Sequence, residues 1–124
     1  MSRSMLALIL ISVTLAAAAQ IVLKGGMIGP TVQRSLSGEF SLRTFVSILF
    51  DPFVLSGLIL YFLAALIWLL VLAKVEVSSA YPFVALGFVV TAVLGRILFE
   101  DTMSFEKLAG TILICVGVVL LSRG

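Results

Sequence analysis

Residues 5–23, 52–73 and 77–95 contain no Asp, Glu, Lys or Arg, and residues 105–122 contain only Glu106 and Lys107, both in the first turn of that run. A segment that crosses hydrocarbon must satisfy its backbone N–H and C=O groups internally, and a helix of about 20 apolar residues does so. The four runs therefore predict an all-α integral membrane protein with transmembrane helices at about 4–23, 52–73, 78–99 and 105–122, forming one domain over residues 1–124. Composition agrees: 62% of the residues are hydrophobic, 11% are charged, and the mean hydropathy is +1.32, outside the range of a soluble domain. Too little chain remains outside the runs for a soluble domain, so function is expected in the helices, their ends and one connecting segment.

Several chemistries are excluded. There is no His, and the single Cys115 lies inside the fourth run, so no metal site, Cys–His nucleophile or intrachain disulfide can be built. No covalent catalysis and no cofactor are expected, and the chain is not read as an enzyme. A net charge of +2, dispersed along the chain, does not suit nucleic-acid binding. Arg3, the first apolar run and Ala17-Ala18-Ala19 before Gln20 imitate a signal-peptide cleavage site. The run is long enough to span and is read as a retained helix.

The long connection, residues 24–51, opens with Lys24-Gly25-Gly26, whose glycines are expected to stop the first helix. Near its end Leu42, Phe45, Val46, Leu49 and Phe50 recur at helical spacing, with Arg43, Thr44 and Ser47 on the other face. This pattern predicts a short helix at about 41–50 lying in the membrane interface. Asp51 is expected to cap the second helix, with Pro52 at its first position. Only Lys74-Val75-Glu76 separates helices two and three, which must then be antiparallel neighbours. Ser78 or Ser79 could cap helix three with Pro82 in its first turn, and Ser104 could cap helix four. Gly110 and Gly117, seven residues apart on helix four, offer a smooth face for a dimer contact.

Lys24, Arg34, Arg43, Arg96 and Lys107 fall on one side of the membrane, and Arg3, Lys74 and Arg123 on the other. By the positive-inside rule this five-to-three balance leans toward both termini outside, and it leaves a dual-topology antiparallel dimer open.

The segment 61–122 resembles the small multidrug resistance family of the drug/metabolite transporter superfamily. The resemblance is carried by Ala80-Tyr81-Pro82, the glycine-interrupted helix 83–95, the turn Leu98-Phe99-Glu100-Asp101 and the tail 108–118, with Gln20-Ile21-Val22-Leu23-Lys24 similar to the end of that family's first helix. Drug exporters of the family carry a membrane-embedded glutamate in helix one, and the matching position here is Ala16. The tryptophan that such exporters carry soon after the helix-three tyrosine is also missing, since Pro82-Phe83-Val84 follows Tyr81. Ala80-Tyr81-Pro82 and Trp68-Leu69-Leu70-Val71-Leu72 look instead like the paired subunits of the aminoarabinose-phosphoundecaprenol flippase type.

The resemblance implies a bacterial inner-membrane, multi-pass transporter subunit that moves a polyprenyl-phosphate-linked sugar, or a similar anionic amphipathic lipid, between leaflets. Its partners would be that lipid-linked substrate, membrane lipids and a second small subunit, identical or related. Lys24 and Arg96, at helix ends on one membrane side, are the candidate phosphate ligands, Arg offering a planar donor fork and Lys a point charge. Each could instead snorkel to the interface, and Arg96 could pair with Glu100. Gln20, one turn from Ala16, and Tyr61 and Tyr81 are the candidate headgroup contacts within the membrane. Gly87 is the expected hinge of helix three. A small drug or metabolite exporter of the same superfamily, or an accessory protein of a glycosyltransferase, are the alternative readings.

Overall fold

The computed structural model describes residues 3–123, all in helices and short connections. In chain order the helices are α1 (Arg3–Met27), α2 (Pro30–Leu36), α3 (Leu42–Leu49), α4 (Pro52–Leu72), α5 (Val77–Ala80), a single 3-10 turn (Tyr81–Phe83), α6 (Val84–Leu98) and α7 (Phe105–Arg123). Among the described residues three helical segments are long and apolar enough to cross a membrane: Arg3–Met27, Pro52–Leu72 and Val77–Leu98. The fourth expected crossing, α7, has 19 residues with Glu106 in its first turn and Arg123 in its last, and it does not stand among the three.

Several local expectations hold. Asp51 Oδ2 accepts from the N–H groups of Phe53 and Val54 at 3.2 and 3.3 Å, so α4 is capped by Asp51 with Pro52 in its first turn. Ser104 Oγ accepts from the Lys107 N–H at 3.1 Å and caps α7. A separate helix, α3, replaces any straight extension of α4; Ser41 caps it.

Other expectations are corrected. Helix one does not stop at Gly25-Gly26 but continues to Met27. A Cβ at Gly26 would lie 2.9 Å from Val54 Cγ2 and 3.0 Å from Phe53 Cβ, so this glycine serves the packing of α1 against the start of α4, and that packing outweighs its poor helix propensity. The connection also contains α2, begun by Pro30 and anchored by Gln33, whose Nε2 donates to the Met27 carbonyl at 2.8 Å. Helix three is not continuous over 78–99. It starts at Val77, preceded by Glu76 with no side-chain cap from Ser78 or Ser79. Pro82 then falls beyond the first turn, where its missing N–H and its ring oppose an α-helix, and the chain passes through a 3-10 turn.

α1 organises the bundle. Ser12 Oγ donates to the Ala64 carbonyl at 2.8 Å, Leu23 lies against Gly57, and Gly26 against Val54, so α4 runs antiparallel to α1. Val13 lies against Gly87, while Lys24 shares a cavity with Ile97 and Leu98, so α6 runs parallel to α1. One buried cluster joins Ile9, Val13, Val71 and Ala80; a second joins Val32, Ile48 and Val54, seating α2 and α3 over the Gly26 end of α1. Only Ile48 of α3 is buried, and Leu42, Phe45, Val46 and Phe50 remain outside. α7 packs lightly, mainly on α6 and the 3-10 turn.

The glycines give a direct stability test. A Cβ at Gly57 would sit 2.7 Å from Leu23 Cγ and 3.1 Å from the Leu23 backbone nitrogen, whereas Gly25 has nothing within 4 Å. Gly57→Ala is expected to destabilise the protein by about 1–3 kcal/mol through overpacking. Gly25→Ala should be neutral or stabilising by up to roughly 1 kcal/mol through helix propensity. Denaturant unfolding in detergent micelles separates the two.

Candidate functional site

Four cavities with shared walls follow one face of α6. The first, about 200 Å³ between α1, α4 and the 3-10 turn, is lined by Ser12, Ala16, Tyr61, Trp68 and Tyr81. The next, about 270 Å³, shares Ala16, Tyr61 and Val84 with it and reaches Gln20 and Thr91. A third, about 410 Å³ between α6 and α7, shares Phe88 and Thr91 and reaches Asp101, Lys107 and Thr111. The last, about 400 Å³, shares Asp101 and ends at Lys24, Ile28 and Glu100.

Val84, Gly87, Phe88 and Thr91 recur three or four residues apart, so they form one stripe on α6. From Tyr81 to Leu98 the helical segment extends about 27 Å at helical rise, close to the hydrocarbon thickness of about 30 Å. The groove thus runs nearly the depth of a bilayer, with uncharged polar groups in the middle and charges at one end.

Backbone bonding sets what the groove offers. Thr91 Oγ1 donates to the Gly87 carbonyl and Thr111 Oγ1 to the Lys107 carbonyl, each at 2.8 Å. Their hydroxyl hydrogens are committed to the helices, leaving oxygen lone pairs as acceptors. Ser12 is likewise committed to Ala64. Tyr61 and Tyr81 are 45% and 62% exposed, and both line the groove.

The structure gathers Gln20 with Ala16 and Tyr61, and Tyr61 with Tyr81. Lys24 stands at the end of the groove with Glu100 and Asp101, and Arg96 is not among the walls of that cavity. Arg96 is exposed and makes no ion pair with Glu100. Gly87 lies on the groove where α6 crosses α1; a Cβ there would be 2.9 Å from Val13 Cγ1. α6 runs unbroken through Gly87, and the irregular backbone lies earlier, at Tyr81–Phe83. Gly110 lines the α6–α7 cavity, and nothing lies within 4 Å of the Cβ positions of Gly110 or Gly117.

Thr91, Asp101 and Lys107 join the site although they are not among the candidate substrate ligands read from the sequence. The signals for Thr91 are its hydroxyl inside an uncharged apolar run and its spacing from Val84 and Gly87. Asp101 depends on the turn after α6: Glu100 takes a left-handed conformation (φ 54°), and the Asp101 N–H donates to the Gly95 carbonyl at 3.2 Å. The Asp101 carboxylate then lies over Gly95, its Oδ2 2.5 Å from where a Cβ would stand.

Sequence comparison finds curated relatives that match about half of the chain. The chain is 49% identical over 61 residues to a probable 4-amino-4-deoxy-L-arabinose-phosphoundecaprenol flippase subunit ArnE of Pseudomonas aeruginosa strain UCBPP-PA14, covering 49% of this chain and 53% of that protein. It is 39% identical over 72 residues to a probable subunit ArnF of the same flippase from Proteus mirabilis strain HI4320, covering 56% of this chain and 54% of that one. A third relative, a probable ArnE of Enterobacter sp. strain 638, is 38% identical over 65 residues, with 52% and 61% covered. The chain thus spans about half the length of the curated relatives it matches. No family model matches the chain, and no solved structure matches it.

The turn yields a second stability test. A non-glycine residue in the left-handed region costs roughly 1–2 kcal/mol. Glu100→Gly is therefore expected to raise stability by about 1 kcal/mol, seen as a higher unfolding midpoint in detergent.

Proposed function

We propose that this chain is one subunit of a bacterial inner-membrane transporter that moves a polyprenyl-phosphate-linked sugar between leaflets. The observation that carries the proposal is the stretch of groove along α6 that holds Gln20, Tyr61, Tyr81 and Thr91 and no charged side chain, with Ala16 lining both of its cavities. A sugar headgroup needs hydroxyl donors and acceptors along its path, whereas a fixed charge at mid-membrane costs about 2.5–3.5 kcal/mol or more. Gln20, Tyr61, Tyr81 and Thr91 supply such groups. Proton-coupled export of cations would call for a carboxylate in the membrane, and this groove has none at Ala16. The relatives named as flippase subunits support the same reading.

In this mechanism the hydrocarbon chain stays in lipid while the headgroup follows α6. Lys24 receives the phosphate at the groove's end, and Arg96, exposed near the same end, is the second cation available. Alternating access comes from movement of α6 against α1 about the Gly87–Val13 contact. α7 forms the fourth crossing, with its charges at the two membrane surfaces. α3 lies in the interface, its exposed Leu42, Phe45, Val46 and Phe50 turned to the acyl boundary. The groove is open along its side, so a second subunit, identical or related, closes it, with Gly110 and Gly117 of α7 at the contact.

Ala16→Leu tests the path. Filling this uncharged stretch should cost at least about 1.4 kcal/mol for a headgroup in passage, or about tenfold in translocation of a lipid-linked sugar across liposomes. Unchanged translocation with normal insertion would show that the headgroup goes elsewhere. Gly117→Leu should weaken self-association or pairing by about 1–3 kcal/mol if α7 is the contact. Crosslinking and light scattering in detergent read this directly, and wild-type association in the variant would place the contact on another helix.

A further inference from the structure

Asp101 occupies the junction between the two cavities at the charged end of the groove. Lys107 lines one of them and Lys24 the other, so a carboxylate stands between two ammonium groups. They are not joined in direct contact. Lys107 Nζ donates to the Thr102 carbonyl at 3.0 Å, and no ion pair joins Asp101 to either lysine. Nor does the Asp101 side chain cap a helix, since Ser104 caps α7.

The carboxylate is nevertheless held in place. Left-handed Glu100 redirects the chain, the Asp101 N–H is tied to the Gly95 carbonyl, and the absent side chain of Gly95 leaves the space that Oδ2 fills. A backbone strain and a glycine are thus both used to aim one unpaired acidic group at a cavity whose other polar walls are Thr91, Thr102, Thr111 and Lys107. Acceptor oxygens and a carboxylate beside an ammonium fit a ligand that carries both signs of charge.

We propose that Asp101 is the acceptor for a primary ammonium carried on the same headgroup as a phosphate, with Lys107 and Lys24 as the cations for that phosphate. This rests on the reading of the chain as a lipid-linked sugar carrier and assigns its selectivity for an amino sugar to one residue. Charge-assisted hydrogen bonds are about twice as strong as neutral ones, so removing the ligand's positive charge should be felt at this position. An ammonium and a phosphate also occur together on phosphatidylethanolamine, and the shared chemistry requires both sources to be tested.

The experiment measures binding of a polyprenyl-phosphate-linked amino sugar and of its N-acetylated counterpart to the full chain in phosphatidylglycerol nanodiscs. Wild type is expected to prefer the free amine by about tenfold or more. Asp101→Asn should bring the ratio close to one. Gly95→Ala, which displaces the carboxylate without changing charge, should lower the ratio in the same direction. Because the ratio is taken within each variant, a partly misfolded fraction cancels. Equal affinities in wild type, or an undiminished preference in Asp101→Asn, would overturn the assignment and leave the carrier reading standing. If wild type binds neither lipid, the carrier reading falls and this inference with it. Repeating the measurement in phosphatidylethanolamine nanodiscs identifies the source: a surviving preference assigns the ammonium to the sugar, and a preference abolished in wild type by competition assigns it to the ethanolamine headgroup.

Discussion

The close approach of α1 and α4 is the constraint on which the other helices depend. In hydrocarbon there is no hydrophobic drive to bring helices together, so contact comes from packing and from interhelical hydrogen bonds. α1 and α4 use both. Gly57 admits Leu23, Gly26 admits Val54, and Ser12 donates across the seam to the Ala64 carbonyl. This fixes the rotation of α1 so that Val13 meets Gly87 on α6, while Ala16 and Gln20 are left lining the groove. A rotation of α1 would therefore disturb the seam and the groove together.

The groove is asymmetric in charge along its length, and bilayer physics accounts for the distribution. Along Ala16 its walls are apolar side chains with Gln20, Tyr61, Tyr81 and Thr91 among them, none of them charged. Its far end carries Lys24, Asp101 and Lys107, at helix termini where water reaches them. The outward surface is apolar, with Phe62, Leu113 and Leu120 each more than three-fifths exposed. A bundle that buries so little of its own apolar surface is stable only against lipid or against another subunit.

Much of this was legible in the sequence because a few signals are strong. Uncharged runs locate the long helices, Asp51-Pro52 and Ser104 mark two starts, and the four-residue step from Ala16 to Gln20 places both on one face, where one cavity indeed joins them. The missed features share a cause: they depend on what a residue meets elsewhere in the chain. Gly25-Gly26 reads as a stop by propensity, yet Gly26 is required where α4 begins. Gly57 gives no local signal, and its role appears only with Leu23 beside it. α2 is short and polar, with Val32 its one buried residue, so it lacks a readable period. The shared membrane side of Lys24 and Arg96 follows from topology, but their positions around two different helices do not.

The hydrogen bond from Ser12 to Ala64 also bears on how the chain is made. Its two residues lie 52 positions apart, and at a synthesis rate of about 5–20 residues per second the acceptor follows the donor by roughly 3–10 s. Throughout that interval α1 has neither α4 nor α6 to pack against. The serine hydroxyl can meanwhile bond back to a carbonyl one turn earlier in its own helix, so α1 tolerates the wait in lipid. Arrival of α4 then exchanges a local bond for a long-range one, and the order of synthesis makes the α1–α4 pair the first part of the bundle that can assemble.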